Sequence, residues 1–167
     1  TPLGREQARE AAGAIAGSGV TALYSSVLVR AQQTADEVGA VLGLVPQVLP
    51  GVEELHVGVH EGRHDDDVAP VAIEVFSRWW RDGDLDHGFE DGETGREIAQ
   101  RMATALDVVA DRHQGQTAVV VSHGGAIAVG LAALCSNLEP EFVGPRLLAN
   151  CEVVELERGA EGWRAVT

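Results

Sequence analysis

The sequence has few cysteines, few aromatic residues and no long apolar run. Cys135 and Cys151 are the only cysteines among 167 residues, and aromatic side chains make up 4% of the chain. Two cysteines without CxxC spacing exclude a disulfide framework and a cysteine-based zinc or redox motif. The longest nearly unbroken apolar run, from Gly124 to Leu134, is shorter than the roughly 20 residues of a membrane span. We therefore expect a cytoplasmic protein that does not enter a membrane.

Basic residues are also scarce. Twelve lysines and arginines face 26 aspartates and glutamates, which gives a formal net charge of -14. This excess of negative charge repels a phosphate backbone, so we expect no nucleic-acid partner. A site for a small anion would need a local cluster of arginine, histidine and backbone amides. Each Arg or His beside a predicted strand end is therefore informative.

Length and hydrophobic pattern predict one α/β domain over residues 1–167. The chain is close to the ~150 residues typical of one domain, and 45% of it is hydrophobic. Helical and strand patterns alternate along the sequence. This order predicts a three-layer α/β/α fold with a mainly parallel sheet. The predicted strands cover 20–26, 46–49, 117–122, 151–157 and 163–166, and three predicted helices cover about 4–16, 70–81 and 124–135. A further helical pattern contains residues 31–42, and a capping box of Thr94 and Glu97 predicts the start of a helix of about four to five turns.

One strand is predicted to end on a histidine. The apolar run 117–121 is typical of a strand buried on both faces, and Ser122, His123, Gly124 and Gly125 follow it before a predicted helix. Ligands of such sheets bind beyond the carboxyl ends of the strands. The glycines would let the backbone approach a ligand, and the free amides of the helix favour an anion. The local alternative is a histidine that only caps the strand structurally.

Two other segments supply candidate polar groups. Arg30 follows the predicted strand 20–26 and stands in the first turn of a helix, where a guanidinium could grip phosphate oxygens at the same sheet edge. The irregular stretch 52–62 contains Glu53, Glu54 and Glu61. A carboxyl group beside a bound anion has a raised pKa and can act as a general acid. The alternatives are a solvated helix arginine and an ordinary acidic loop.

Five segments in one order resemble the histidine phosphatase superfamily, also called the phosphoglycerate mutase-like family. These segments are PLGREQA at 2–8, SSVLVRAQQTA at 25–35, VEELHVGVHEG at 52–62, DGET at 91–94 and VVVSHGG at 119–125. Val27 replaces a usual proline, and Val52 replaces a usual leucine. The resemblance implies the phosphoglycerate mutase-like fold over nearly the whole chain.

The resemblance also implies roles for particular residues. Arg30 would bind phosphate, Glu54 would protonate the leaving alcohol, and His123, with the amide of Gly124, would stabilise the transferring phosphoryl group. The implied reaction is hydrolysis of a small phosphorylated metabolite through a phosphohistidine, without a metal ion or cofactor. A phosphoglycerate mutase type of phosphoryl transfer is a further alternative. A catalytically inactive module that binds phosphate esters or a protein partner is another.

The family's nucleophile motif, Arg-His-Gly at the end of its first strand, does not occur in this sequence. RHD at 63–65 and RHQ at 112–114 contain Arg-His pairs, but neither has the glycine or a preceding apolar strand. We therefore expect the first strand and its histidine to belong to a segment that precedes Thr1. Without that segment, residues 1–167 alone are expected to be inactive.

Three minor possibilities stay open. His56, His60 and His64 stand four residues apart and could bind zinc on a helix, although Gly58 and Gly62 disfavour a helix there. The apolar strand 151–157 could pair with a second copy and form a homodimer. Aromatic residues of the variable region could cover the pocket or simply pack the predicted helix 70–81 onto the domain; they are Trp79, Trp80 and Phe89.

Overall fold

A parallel sheet of three strands lies at the centre of the molecule. The computed structural model describes residues 1–138 and 148–166. The helices are α1 (Pro2–Ile15), α2 (Val29–Leu42), α3 (Asp65–Arg81), α4 (Gly95–Arg112) and α5 (Gly124–Leu134), with a short 3-10 helix at Gly58–His60. The strands are β1 (Val20–Ser25), β2 (Gln47–Val48), β3 (Thr117–Val121), β4 (Leu156–Gly159) and β5 (Gly162–Ala165).

The sheet has the order β2-β1-β3, and both of its pairings are parallel. Side chains of a strand alternate between the two faces of a sheet. On one face, Leu23 packs in a cluster with Ala12 of α1 and Val38 of α2. On the other face, Tyr24 packs in a cluster with Val109 of α4. Helices thus cover both faces, which confirms the predicted three-layer α/β/α arrangement with a parallel sheet.

Helix α3 begins earlier than its sequence pattern predicts. We expected a start near residue 70, but α3 begins at Asp65 and contains Pro70. Pro70 is only the sixth residue of the helix, and the carbonyl that it leaves without an amide donor belongs to the exposed Asp66. Water can satisfy that carbonyl, so the proline is tolerated inside the helix.

The aromatic residues of the variable region serve to pack α3. Trp79 and Phe89 are 3% and 5% exposed, and they belong to one apolar cluster with Met102 of α4 and Val129 of α5. The Trp79 indole nitrogen donates to the carbonyl of His87 at 2.8 Å. Trp80 packs against the edge of the same cluster. The packing interpretation of these residues therefore holds for Trp79 and Phe89.

The C-terminal antiparallel pair is present but shorter than predicted. β4 and β5 pair in antiparallel register, yet β4 begins at Leu156 and not at residue 151. The preceding residues form a turn, in which Cys151 has a φ of 61° and the Ala149 amide donates to the Glu152 carboxylate at 2.8 Å. Backbone at a positive φ cannot continue a strand. Among the described residues, no helix is long and apolar enough to cross a membrane.

Candidate active site

Two parallel strands bring a serine and a histidine together at the edge of the sheet. β1 ends at Ser25 and β3 ends at Val121, and these two residues are register partners. Ser26 and His123 follow the two strands, and the Ser26 hydroxyl lies 2.7 Å from Nε2 of His123. Both side chains are buried, at 0% and 7% exposure. Because the carboxyl ends of parallel strands share one edge, strand geometry alone places this pair.

Arg30 completes the group around the imidazole. Its Nε donates to Nδ1 of His123 at 3.2 Å. A guanidinium only donates, so Nδ1 must be the unprotonated acceptor and Nε2 must carry the ring hydrogen. The Nε2–H then donates to Ser26. Arg30 lies at the exposed start of α2, and no described residue binds its two terminal nitrogens. These nitrogens are placed to receive an anion.

The surroundings of His123 favour its neutral form. Burial lowers the pKa of the imidazole below its usual value of 6.5. The Glu54 carboxylate opposes this change, and the Arg30 guanidinium adds to it. Burial and Arg30 lower the pKa because a proton would add a positive charge to a desolvated group beside another cation. The lowered pKa agrees with the neutral tautomer that the hydrogen bonds require.

The carboxylate of Glu54 lies against the N-terminus of α5. Its Oε1 accepts from the Ala126 amide at 2.8 Å and from its neighbour Leu55 at 3.1 Å, and Oε2 accepts from the Gly125 amide at 3.4 Å. The first amides of a helix lack intrahelical acceptors, and the helix dipole favours negative charge there. Glu54 therefore reaches the helix that begins directly after His123.

Gly125 makes this approach possible. A Cβ atom at Gly125 would lie 2.8 Å from Oε1 of Glu54 and 2.6 Å from a methyl carbon of Leu55. Gly125 was predicted to admit a ligand, but the close neighbour in the structure is the Glu54 carboxylate. Gly124 is exposed, and a Cβ there would meet no atom within 4 Å. Its amide is the first of α5 and has no intrahelical acceptor.

The structure brings together the residues predicted from the two strand ends and one residue of the loop. Arg30, His123, Gly124 and Glu54 surround the N-terminus of α5. Glu61 instead accepts from the amide of Val57 at 3.0 Å, within its own loop. The three-histidine idea gains no support, because the described residues contain no group of three or more His, Cys, Asp or Glu positioned to hold a metal.

The sequence did not indicate three residues that shape the site: Ser26, Gly125 as a support for Glu54, and Arg101. Ser26 and Gly125 lie in the same two segments as Arg30 and His123. Their positions at or just after the ends of the predicted strands are the sequence signal that indicates them. Arg101 lies on α4, 47 residues from Glu54, and its guanidinium contacts the loop that carries Glu54. No local pattern indicates such a long-range contact.

Comparisons with known proteins agree on one family. The model of the histidine phosphatase superfamily (branch 1) matches residues 1–167. A curated relative from Yersinia pestis, named probable phosphoglycerate mutase GpmB, is 31% identical over 166 residues, which are 99% of this chain and 76% of that protein.

Solved structures share the fold. A mycobacterial glucosyl-3-phosphoglycerate phosphatase, in complex with inorganic phosphate, aligns with a TM-score of 0.80 at 25% identity over 100% of this chain and 85% of its own. The alpha-ribazole phosphatase from Shigella flexneri aligns with a TM-score of 0.72 at 23% identity, over 99% of this chain and 81% of its own. The second likeness is one of fold alone.

Proposed function

Because this chain belongs to the histidine phosphatase superfamily, we propose that it is a phosphomonoester hydrolase that works through a phosphohistidine and needs no metal ion. One observation carries the proposal: Arg30, His123 and Glu54 converge on the N-terminus of α5 from three separate elements. Two of these groups suit an anion, and the third is a carboxyl group suited to proton transfer. The proposed substrate is a small phosphorylated metabolite.

The site supplies the donors for the phosphoryl group. The terminal nitrogens of Arg30, the Gly124 amide and the helix dipole of α5 all favour negative charge. His123 can add an N–H donor if the anion displaces Ser26 as its partner. These groups neutralise the equatorial oxygens, a task that Mg²⁺ performs in other phosphoryl-transfer enzymes. This provision of charge is the reason for proposing a reaction without a metal.

The proposed chemistry has two steps. A histidine of an Arg-His-Gly segment, which the proposal places ahead of Thr1, attacks phosphorus in line, and the P–O bond to the alcohol breaks as Glu54 gives the departing oxygen a proton. Water then attacks the phosphohistidine, gives its proton to the Glu54 carboxylate, and the P–N bond breaks. Covalent catalysis thus replaces one difficult displacement by two easier ones.

One of the two Arg-His pairs inside the chain is poorly placed for the attack. His113 follows α4, and its Nε2 lies 2.9 Å from the hydroxyl of Tyr24. His113 therefore lies at the end of α4 that meets the amino end of β3, away from His123. His64 precedes the first residue of α3 and, like His113, lacks the glycine of the family motif. These observations support the proposal that another histidine is the nucleophile.

Relatives support both a phosphatase and a mutase. The solved mycobacterial relative is named a phosphatase, and the Yersinia pestis relative is named a probable phosphoglycerate mutase. The two reactions share the phosphohistidine and differ in the acceptor, which is water in one and a substrate hydroxyl in the other. We favour hydrolysis because the sequence shows no long insertion that would shield the intermediate from water.

The first experiment is the intact mass of the protein from its native source, followed by assays on that native-length protein. A mass above 17.6 kDa with an Arg-His-Gly in the additional residues supports the proposal.

Turnover of a phosphomonoester should then release inorganic phosphate, pass through an acid-labile phosphohistidine and survive EDTA. Loss of activity to EDTA would contradict the metal-free mechanism. Transfer to a second alcohol without phosphate release would indicate a mutase, and phosphate binding without turnover would indicate the inactive module.

A further inference from the structure

The loop that carries Glu54 has no regular structure of its own. It runs from the end of β2 at Val48 to the 3-10 helix at Gly58, and between these points it forms neither helix nor strand. Its backbone groups must find partners elsewhere, since buried carbonyls and amides are costly when unpaired. The side chain of Arg101, which projects from α4, supplies several of them.

The Arg101 guanidinium binds three successive parts of this loop. Its Nη1 donates to the carbonyls of Gly51 at 3.0 Å and Glu53 at 2.9 Å, and Nη2 lies 3.4 Å from the carbonyl of Glu54 itself. The side chain is 20% exposed. A planar guanidinium presents its donors in a fixed fork, so these contacts fix the direction of the loop as well as its position.

Glu93 forms an ion pair with Arg101, and we call this Arg101–Glu93 pair the clasp. Its two carboxylate oxygens accept from Nε and Nη2 of Arg101 at 2.6 and 3.0 Å. One of these oxygens also accepts from the His56 amide at 2.8 Å, and the Glu93 amide donates to the His56 carbonyl at 2.9 Å. The clasp therefore holds the loop on both sides of Glu54.

The loop also has no room to move toward α4. Gly51 has a φ of 98°, and a Cβ there would lie 3.0 Å from the Arg101 carbonyl. This close packing and the three guanidinium contacts with loop carbonyls restrict the position of the Glu54 backbone. From that position the side chain reaches the Ala126 amide.

We propose that Arg101, clasped by Glu93, is a positioning residue that sets the Glu54 carboxyl group for proton transfer to the leaving oxygen. This inference rests on the proposed function, because it takes Glu54 to be the proton donor. Arg101 binds loop carbonyls, the Glu93 carboxylate and, at 3.7 Å, the Glu53 carboxylate, and the proposal assigns its effect on proton transfer to its hold on the loop. Its effect should therefore depend on how much the leaving group needs a proton.

Leaving groups provide the test, carried out on the native-length protein. An alkyl phosphate expels an alkoxide, which needs a proton, whereas para-nitrophenyl phosphate expels a phenolate that is stable without one. Arg101→Ala should lower kcat/KM for the alkyl phosphate by about 10- to 100-fold, the range expected when an acid catalyst is misplaced. The loss on para-nitrophenyl phosphate should be only a few-fold. Equal losses on both substrates would overturn the proposal.

A double-mutant cycle separates positioning from general damage. If Arg101 acts through Glu54, adding Arg101→Ala to Glu54→Gln should lower the alkyl phosphate activity no further. Losses that multiply would contradict the inference. Glu54→Gln alone tests the proposed function: if it lowers kcat/KM equally for both substrates or for neither, Glu54 is not the proton donor to the leaving group, and that failure is visible without any Arg101 variant.

The matched control is Arg96→Ala. Arg96 also projects from α4 and forms an ion pair with Asp86, but no contact joins it to the loop of Glu54. Its removal should leave both activities unchanged. If Arg101→Ala does not fold, Arg101→Lys keeps the charge but loses the planar fork, and it should show the same selectivity for the alkyl phosphate to a smaller degree.

Amide NMR gives a readout that does not depend on turnover. The Ala126 amide donates to Glu54, and as the third residue of α5 it has no intrahelical acceptor. Arg101→Ala and Glu54→Gln should both shift this resonance and speed its exchange, while Arg96→Ala should not. An unchanged Ala126 amide in folded Arg101→Ala would show that Glu54 keeps its position without Arg101.

Discussion

His123 and Glu54 reach the N-terminus of α5 by different routes. His123 follows a regular strand by two residues, and the backbone hydrogen bonds of β3 with β1 help to fix its place. Glu54 lies in an irregular loop that is held by side-chain contacts from Arg101, Glu93 and Ser122 and by the burial of Val52 and Leu55. The difference predicts that changes near His123 alter its chemistry, whereas distant single substitutions can displace Glu54.

The largest effect is expected from His123→Ala. The strand should stay in place while a donor to the transferring phosphoryl group is lost, so kcat of the native-length protein should fall on the order of 10²- to 10³-fold. His64→Ala is the control, since His64 is exposed and its side chain caps no helix amide. Steady-state kinetics on one phosphomonoester decide the matter. Loss of turnover in His64→Ala would mean that the nucleophile has been misassigned.

Gly125→Ala should displace Glu54 without touching the strands. The added methyl group would overlap the Glu54 carboxylate and Leu55, so the carboxyl group must move. We expect kcat to fall about 10- to 100-fold, as for other displacements of a catalytic group by about 1 Å.

Gly13→Ala in α1 is the matched control for that glycine substitution. A Cβ at Gly13 meets no atom within 4 Å, so the helix should gain up to about 1 kcal/mol with no change in kcat. Full activity of Gly125→Ala would show that the loop tolerates displacement and would weaken the contrast between the two routes.

Ser26→Ala tests whether the strand alone fixes the position of the His123 imidazole. The hydroxyl accepts from the imidazole N–H of His123 and also from the Leu28 amide at 3.2 Å. Its loss leaves a buried donor unpaired, which should lower the free energy of unfolding by about 1–3 kcal/mol. The imidazole should keep its position because β3 holds it, so kcat should fall about tenfold or less.

Urea denaturation of Ser26→Ala and of the exposed Ser18→Ala gives the comparison of stability. The Ser18 variant should lie within about 0.5 kcal/mol of the parent protein. A fall in kcat for Ser26→Ala as large as that for His123→Ala would mean that the hydroxyl, and not the strand, fixes the imidazole.

Most of the fold could be predicted from sequence because regular elements have local signals. The helical periodicity of α4 and its capping box between Thr94 and Glu97 gave both the helix and its start, which the structure confirms. Errors arose where a local preference lost to its surroundings. Pro70 is tolerated inside α3 because water reaches the carbonyl that it leaves unpaired, and Cys151 turns the chain where an apolar pattern predicted strand.

The residues of the site also differ in how far the sequence could predict their positions. His123 and Arg30 could be placed at one sheet edge from strand ends alone, since parallel strands bring their carboxyl ends together. Glu54 could be proposed only from the family resemblance, because its loop offered two other carboxylates with no local reason to prefer one. The clasp depends on a contact between residues that are 47 positions apart, and no periodicity indicates it. The position of Glu54 is thus harder to predict than that of His123 and easier to disturb, because it depends on long-range side-chain contacts.

The smallest expected effect is the pH dependence of stability that His123 contributes. Because its pKa is lowered in the folded protein, the unfolded chain takes up a proton near pH 6.5 while the folded chain does not. The contribution of His123 is therefore fully present above about pH 6.5 and is lost as the pH falls from there to the folded pKa.

Urea midpoints measured across this interval should fall less steeply in His123→Asn than in the parent protein. The interval begins at pH 6.5, whereas the effects of Glu37 and Glu97 begin near pH 4.5, from which their pKa values are lowered by Arg5 and by Thr94, respectively. Equal slopes would mean that the imidazole takes up a proton in the folded state as readily as in water. In that case Arg30 could not keep its hydrogen bond to Nδ1, and the fixed tautomer on the strand side of the site would have to be abandoned.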